Sequence, residues 1–541
     1  MTSRQRVVLG TLVFTLAWLS LPGASMLGHA RQVRVFPVTT PSALCIVGNS
    51  ACDLVRAAAG FAPTFGPDAG VVPAPGDELV LAPGIYVLAP FVVGAPANGT
   101  GPVVVPGTAV APFVRVMESL QIRSRSGREV TVIEGAATPF PSVVLAANGV
   151  RFGGASPDQG ITIQNSGDEG VQIGTPGGGS NPFGLDLSPG TQGSENIQLR
   201  HGQIFNSGDD GIDINFNPPS TPKPVTGLVI VGFIIRNSAD DGIDVNPLVT
   251  ALGGAREEEA VLLSDNVFDN NGDDGMDFDH SGPMERVTIQ YNVIVRNDEG
   301  ITFDHAGDQI HVVLHHNRVE ANRDDGLHWD NGVMRLDAVS VSYNQVLRNA
   351  GFGMIFHNSG DVINLNIVGN RSPDGKRGIS SNDAAGILFL NLAAAGGPAA
   401  TGVRRIENLT LSENVINDNG NVLARFIQTN FGGLPGGVPF FGFLPFDGVT
   451  FLNGDDIVGA VIRGNHVFSN AGSGMTVGHP GNATCTTPAP CFPGFAIPGA
   501  FRAATIEENV FFQNGTFGNP SAPLLPPGDG LSADPRDDVY D

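Results

Sequence analysis

DNVFDNNGDDGMDFDHSG at 265–282, YNVIVRNDEGITFDHAG at 291–307 and HNRVEANRDDGLHWDNG at 316–332 are one phrase written three times. Aligned on Gly275, Gly300 and Gly326, they repeat every 25 or so residues, the length at which one coil of a solenoid closes and the next begins. After each glycine, apolar and polar residues alternate. Met276 and Phe278, Ile301 and Phe303, and Leu327 and Trp329 are apolar, while Asp277 and Asp279, Thr302 and Asp304, and His328 and Asp330 are polar. A period of two marks a strand with one buried face, so the apolar pairs are predicted to line a core and the Asp/His positions to face outward. A second strand is predicted before each, from Val261 and Leu263, Val287 and Ile289, Val312 and Leu314, and Val339 and Val341, which stand five and three residues before an Asn.

That Asn recurs with a second one five places on, at Asn266/Asn271, Asn292/Asn297, Asn317/Asn322, Asn344/Asn349, Asn414/Asn419, Asn465/Asn470 and Asn509/Asn514. Asn tolerates left-handed turns, and its amide bonds to the same Asn one coil away, so these positions are read as ladders at coil corners. Two short strands plus turns per repeat, stacked in register, give an all-β, single-stranded solenoid with inserted loops. The phrase N-x-V-x-x-N-x-x-D-G-I resembles the right-handed parallel β-helix superfamily of pectate lyases, polygalacturonases and mannuronan epimerases. The resemblance lies at the level of the repeat, and it implies that fold for residues 77–516.

Outside the repeat, residues 1–30 carry Arg4 and Arg6, an apolar run from Val7 to Leu21 and small residues up to Ala30. About 20 apolar residues are needed to span a bilayer, so this shorter run is read as a signal peptide and the mature chain as secreted or on the cell surface. Residues 31–76 are expected to cap the open first coil, because a solenoid's end exposes apolar side chains and unpaired strand edges. Residues 517–541 read as a disordered acidic tail. Cys45 with Cys52 and Cys485 with Cys491 suggest two local disulfides in an exported chain, although four cysteines allow three connectivities. The uncharged, Phe-rich insertion 431–446 is read as packing on the solenoid's flank, with a sugar-stacking wall or a lipid-facing loop as alternatives.

The formal charge is −24, from 53 acidic against 29 basic residues. No basic stripe exists to neutralise phosphates, which excludes nucleic acid as a partner. A monomer is expected, with no membrane span in the mature chain.

Successive coils stand about 4.8 Å apart, so residues at one phase form lines. One predicted line is Asp213, Asp244, Asp277, Thr302 and His328; the next is Asn215, Asn246, Asp279, Asp304, Asp330 and His357. Two unit charges at that spacing repel by about 1 kcal/mol in water and about 3 kcal/mol at an effective dielectric of 20. Such a column calls for a cation, a shared proton or full exposure. Calcium suits hard oxygen ligands in an exported protein, and Asp277, Asp279, Asp304 and Asp330 are its candidate ligands. The Asp pairs before the glycines, such as Asp273 and Asp274, have a plainer role in making the turn, with the glycine at positive φ.

His280 and His305 each follow an Asp in F-D-H, and imidazole beside carboxylate suits acid/base work at a sugar. Asp279, His280, Asp304, His305, His328 and Asp330 are therefore the candidate catalytic residues. The D-H phrase is similar to the D-P-H of mannuronan epimerases, without the Pro. G-D-D resembles polygalacturonases, whose G-H-G and R-I-K phrases are absent. A pectate-lyase-like reaction implies calcium and a basic residue, for which Arg323, Arg348 and Arg377 are the candidates. The expected function is polysaccharide binding with modification by a lyase, hydrolase or epimerase reaction; the alternative is a non-catalytic surface or matrix solenoid that binds glycans. A scaffold should be uniform, whereas a reaction centre should interrupt the repeat, and His enters the columns only between 280 and 357.

Overall fold

A computed structural model describes residues 32–35, 71–88, 91–92, 109–110, 114–116 and 120–512, the last span without 136–140, 146, 176–194, 217–223, 247–248, 281, 305–306, 331–334, 358–359, 392–405, 421–447, 454–456, 471–474 and 478–500. The expected signal peptide, the four cysteines, the Phe-rich insertion and the acidic tail lie outside the described residues. Among the described residues no helix is long and apolar enough to cross a membrane.

Strands after the glycines pair in parallel from coil to coil: Met276 lies opposite Ile301, Ile301 opposite Leu327, Leu327 opposite Met354 and Met354 opposite Ile387. They form a sheet of twelve strands, from Val114–Val116 to Met475–Val477. The strands before the first Asn form a fourteen-stranded sheet ending at Thr505–Glu507. Its first strand, Gln32–Val35, lies parallel on Glu78–Leu81, so pairing reaches back before residue 77. The chain is a parallel β-helix.

Among the described residues the central coils hold one strand more than the two expected, and from Leu252–Gly253 onward a short fourth, Met284–Glu285 being an example. The third strand runs between the paired asparagines as Val267–Asp269, Val293–Val295 and Arg318–Glu320, in a sheet of thirteen. Its middle residue, Phe268, Ile294 or Val319, is the apolar side chain that each strand turns fully into the core. One inward residue per strand makes no alternation, so a period-two search passes over it.

Ile214, Val245, Phe278, Phe303, Trp329 and Phe356 are all buried, as expected. Their rings stack from Phe278 through Phe303, Trp329, Phe356 and Phe389 to Phe451, with centroids 4.5–5.0 Å apart. The coil spacing is itself the offset-stacking distance of aromatic rings, so one ring per coil keeps both faces covered.

Both asparagine ladders are present. Asn266 Nδ2 donates to Asn292 Oδ1 at 3.0 Å, and the same bond repeats through Asn317, Asn344, Asn370, Asn414 and Asn465 to Asn509. The second ladder runs from Asn271 through Asn297, Asn322, Asn349, Asn382 and Asn419 to Asn470. The left-handed residue is the one before the ladder Asn, as at Asp265, Tyr291, His316 and Tyr343, so the amide's bonds, and not a tolerance of positive φ, are what require Asn. The expected positive φ at the repeat glycines is likewise absent from Gly275, Gly300 and Gly326. Close approach demands glycine there: a Cβ on Gly300 would stand 2.2 Å from Gly326 O and 2.3 Å from Val319 Cγ1.

Candidate functional site

On the twelve-stranded sheet the first predicted column is in register, with Gln172, Asp213, Asp244, Asp277, Thr302, His328 and Ile355 facing one another in turn. The column is not fully exposed. Asp213 retains 2 % of its accessible surface and Thr302 9 %, while Asp279 and Asp304, one phase along, are solvent-exposed.

Beside this column runs another, made by the residues just before the glycines: Asp210, Asp241, Asp274, Glu299 and Asp325. All but Glu299 are buried, and their carboxylates accept backbone N–H groups of the next coil. Asp241 N donates to Asp210 Oδ1 at 2.9 Å, Glu299 N to Asp274 Oδ1 at 3.0 Å and Phe352 N to Asp325 Oδ1 at 2.5 Å. These acids therefore tie coil to coil as well as shaping a turn. Burial, reinforced by neighbouring carboxylates, pushes Asp241 up to about 10, Asp244 to about 9, Asp210 and Asp277 to about 8, and Asp213, Asp274 and Asp325 to about 7.

The acidic run changes character at His328. Its Nδ1 lies 2.8 Å from Glu299 Oε2 and 3.9 Å from Asp325 Oδ2, and Thr302 Oγ1 donates to the same Glu299 oxygen at 2.9 Å. Burial disfavours the imidazolium, but the Glu299 hydrogen bond and the charges of Glu299, Asp325 and Asp330 outweigh it and raise His328 to about 9. His357 Nδ1 stands 3.3 Å from Asp330 Oδ1, and both side chains are half-exposed. Asp304 is lifted above the usual carboxylate range by partial burial and then by Asp330.

Of the predicted catalytic residues, the fold thus gathers His328, Asp330 and Asp304 on one face, with His357 alongside. Asp279 lies nearby, within the field of Asp304. His280 is 1 % exposed, so it is not presented to solvent beside Asp279. The residue after Asp279 has turned inward at the strand's end, where strict alternation no longer applies. His305 lies outside the described residues. Arg323 is engaged by the carbonyls of Asn271 and Gly272, and Arg348 pairs with Glu320 on the thirteen-stranded sheet.

Glu299 and Asp325 are site residues that the outward-facing pattern misses, because both precede a glycine, where the alternation has not begun; Asp325 belongs to the aspartate pairs given a turn-forming role, and Glu299 carries no assignment. A signal was present in the sequence: D-E-G at 298–300 breaks the D-D-G of neighbouring coils. For a metal, Asp277 offers an Oδ1 that is buried without a hydrogen-bond partner, which fits a cation ligand, whereas Asp279 and Asp304 are open to water. Glu299, Asp325 and His328 also bring one ligand atom each within 4.8 Å of one another.

No protein-family model matches the chain, and no curated protein matches it in sequence. Among solved structures it is similar to the periplasmic alginate epimerase AlgG, at 10% identity over 80% of this chain and 77% of that one, with a TM-score of 0.35. The A-module of the Azotobacter vinelandii mannuronan C-5 epimerase AlgE4 aligns at 12% identity over 87% and 96%, with a TM-score of 0.31. The catalytic unit of the GH87 alpha-1,3-glucanase of Streptomyces thermodiastaticus aligns at 12% over 82% and 65%, with a TM-score of 0.30. These likenesses are too distant to carry an activity, and it is the chain's own sheets, register and ladders that make it a parallel β-helix protein.

Proposed function

We propose that the chain is a secreted enzyme that modifies an acidic polysaccharide by removing the proton beside a uronate carboxylate, the opening step of a lyase or an epimerase. The observation that carries this reading is the His328–Glu299 pair at the point where the aspartate column breaks off. An imidazole raised to about 9 is a cation at neutral pH, so it holds an anion or gives up a proton and does not act as a base. A uronate carboxylate laid against His328 would have its charge neutralised, which acidifies the adjacent C–H. The Asp330–His357 pair, open to solvent, then takes the proton, and the electron pair moves into the carboxylate as an enediolate that His328 stabilises. A calcium ion on Asp277, Asp279, Asp304 and Asp330 would supply further positive charge to a polyanion facing an acidic wall. The even run of acids below residue 277 favours a second reading, a glycan-binding solenoid without catalysis.

Incubating the protein with polyuronates and with neutral glucans in D2O separates these outcomes. Deuterium entering the uronate ring beside its carboxylate, for an epimerase, or unsaturated uronate ends, for a lyase, either of them lost with His328→Gln, is the expected result. New reducing ends from a neutral glucan, or no turnover on any substrate, would remove the reading.

A further inference from the structure

Three coils below His328, along the same sheet, a second constellation lies outside the proposed reaction. Asp210, Asp213 and Asp244 each place a carboxylate oxygen within 4.8 Å of the other two. Acidic groups crowd many surfaces without consequence, but this group is not at the surface. Asp213 is 2 % exposed, and its Oδ1 is buried with no hydrogen-bond partner. Its other oxygen accepts Gln172 Nε2 at 3.0 Å, which fixes the carboxylate's plane. That bond leaves Gln172 Oε1, from a side chain also 2 % exposed, buried and unpaired, and Asn215 Oδ1 is in the same condition.

Every orphaned atom of this group is thus an acceptor oxygen. The charged groups acting on the three aspartates are Asp168, Asp209, Asp240, Asp277 and Asp279, all of one sign. A buried acceptor left without a donor costs about 1–3 kcal/mol, and more when it is charged. Three orphan oxygens on neighbouring side chains, beside carboxylates that do converge, call for a positive centre that accepts several oxygens together. Among the described residues no basic side chain is a leading influence on these aspartates, and a proton shared between two carboxylates leaves the amide oxygens of Gln172 and Asn215 unserved.

We infer that Asp210, Asp213 and Asp244, with the amide oxygens of Gln172 and Asn215 beside them, form a binding site for a hard divalent cation of the calcium class that ties three consecutive coils together. The donor set is all oxygen, mixes carboxylates with neutral carbonyls and exceeds four atoms, the profile that suits calcium's six to eight ligands. Gln172, Asp213 and Asp244 lie opposite one another on adjacent strands, so one ion would bridge coils that otherwise repel. The site is separate from the His328 cluster, and its test does not depend on turnover.

Full-length protein stripped with a chelator and titrated with calcium chloride by calorimetry, with melting followed in parallel, decides the matter. Stripped protein should bind calcium and melt higher once loaded. Asp213→Asn and Asp244→Asn should each weaken that binding about tenfold or more and abolish the gain in Tm. Asp158→Asn, on the exposed turn Pro157–Gln159 away from the acidic column, should leave the binding in place. In chelator, Asp213→Asn should melt no lower than the parent, because it removes a buried charge while keeping the shape, and this separates loss of an ion from loss of the fold. Absence of calcium binding to the stripped parent, or undiminished binding in both variants, would overturn the inference.

Discussion

Glu299 sets the charge on His328, so Glu299→Gln should return that imidazole toward the ordinary histidine range. The ring resonances, followed by NMR across the alkaline range, check this, and an unchanged midpoint would detach the two residues. The linked stability has a definite sign. A histidine with a raised folded-state value stabilises fully below its unfolded value near 6.5 and loses that contribution as pH rises through about 9. Asp304→Asn and Asp330→Asn, at open positions, should lower turnover on a confirmed substrate about a hundredfold, the scale of a lost acid/base group, and leave the melt nearly unchanged. Full turnover in both variants would place the centre elsewhere. Asp304, His328 and Asp330 were legible in the sequence because strand alternation puts them on the wet face. Glu299 and Asp325 were not, because the turn before a glycine gives no rule for which way a side chain leans. His280 marks where alternation ends.

Strands of three residues hold their place through what lies above and below them. Trp329 has Phe303 and Phe356 on its two faces and donates its indole N–H to Gln309 Oε1 at 3.1 Å. Trp329→Ala should therefore cost about 3–5 kcal/mol, read by chemical denaturation. A loss under about 1 kcal/mol would mean that the core closes over the gap. Asn317→Ala strands the backbone N–H of Asn292, which bonds Asn317 Oδ1 at 3.0 Å, and the Ile289 carbonyl, so about 1–3 kcal/mol is expected for each group left without a partner. The ladders were legible because Asn at fixed spacing is rarely accidental. The third strand was hidden because Phe268, Ile294 and Val319 stand alone between two corners, and Asn370 and Asn382 escaped the five-residue rule because the turn 371–378 intervenes.

The molecule as a whole stacks acids in a way that reverses the usual response to pH. Asp274 and Asp325 are held near 7 by burial, well above their unfolded value of about 3.8, so the folded state binds more protons than the unfolded one between those limits. Stability then falls as pH rises from 5 to 8. In chelator Tm should drop across that range, and Asp274→Asn should flatten the decline; a Tm that climbs would show these carboxylates ionised in both states. The interval between successive ladder asparagines has a mechanical meaning. It is 25 to 27 residues from Asn266 to Asn370, then 44 to Asn414 and 51 to Asn465. Each coil is held only by its neighbours, so a chain pulled from its ends should give way one coil at a time. The force trace would be a sawtooth with teeth of roughly 85–90 Å in the middle of the rod and about 150–170 Å toward the carboxyl end, at the extended length of a residue.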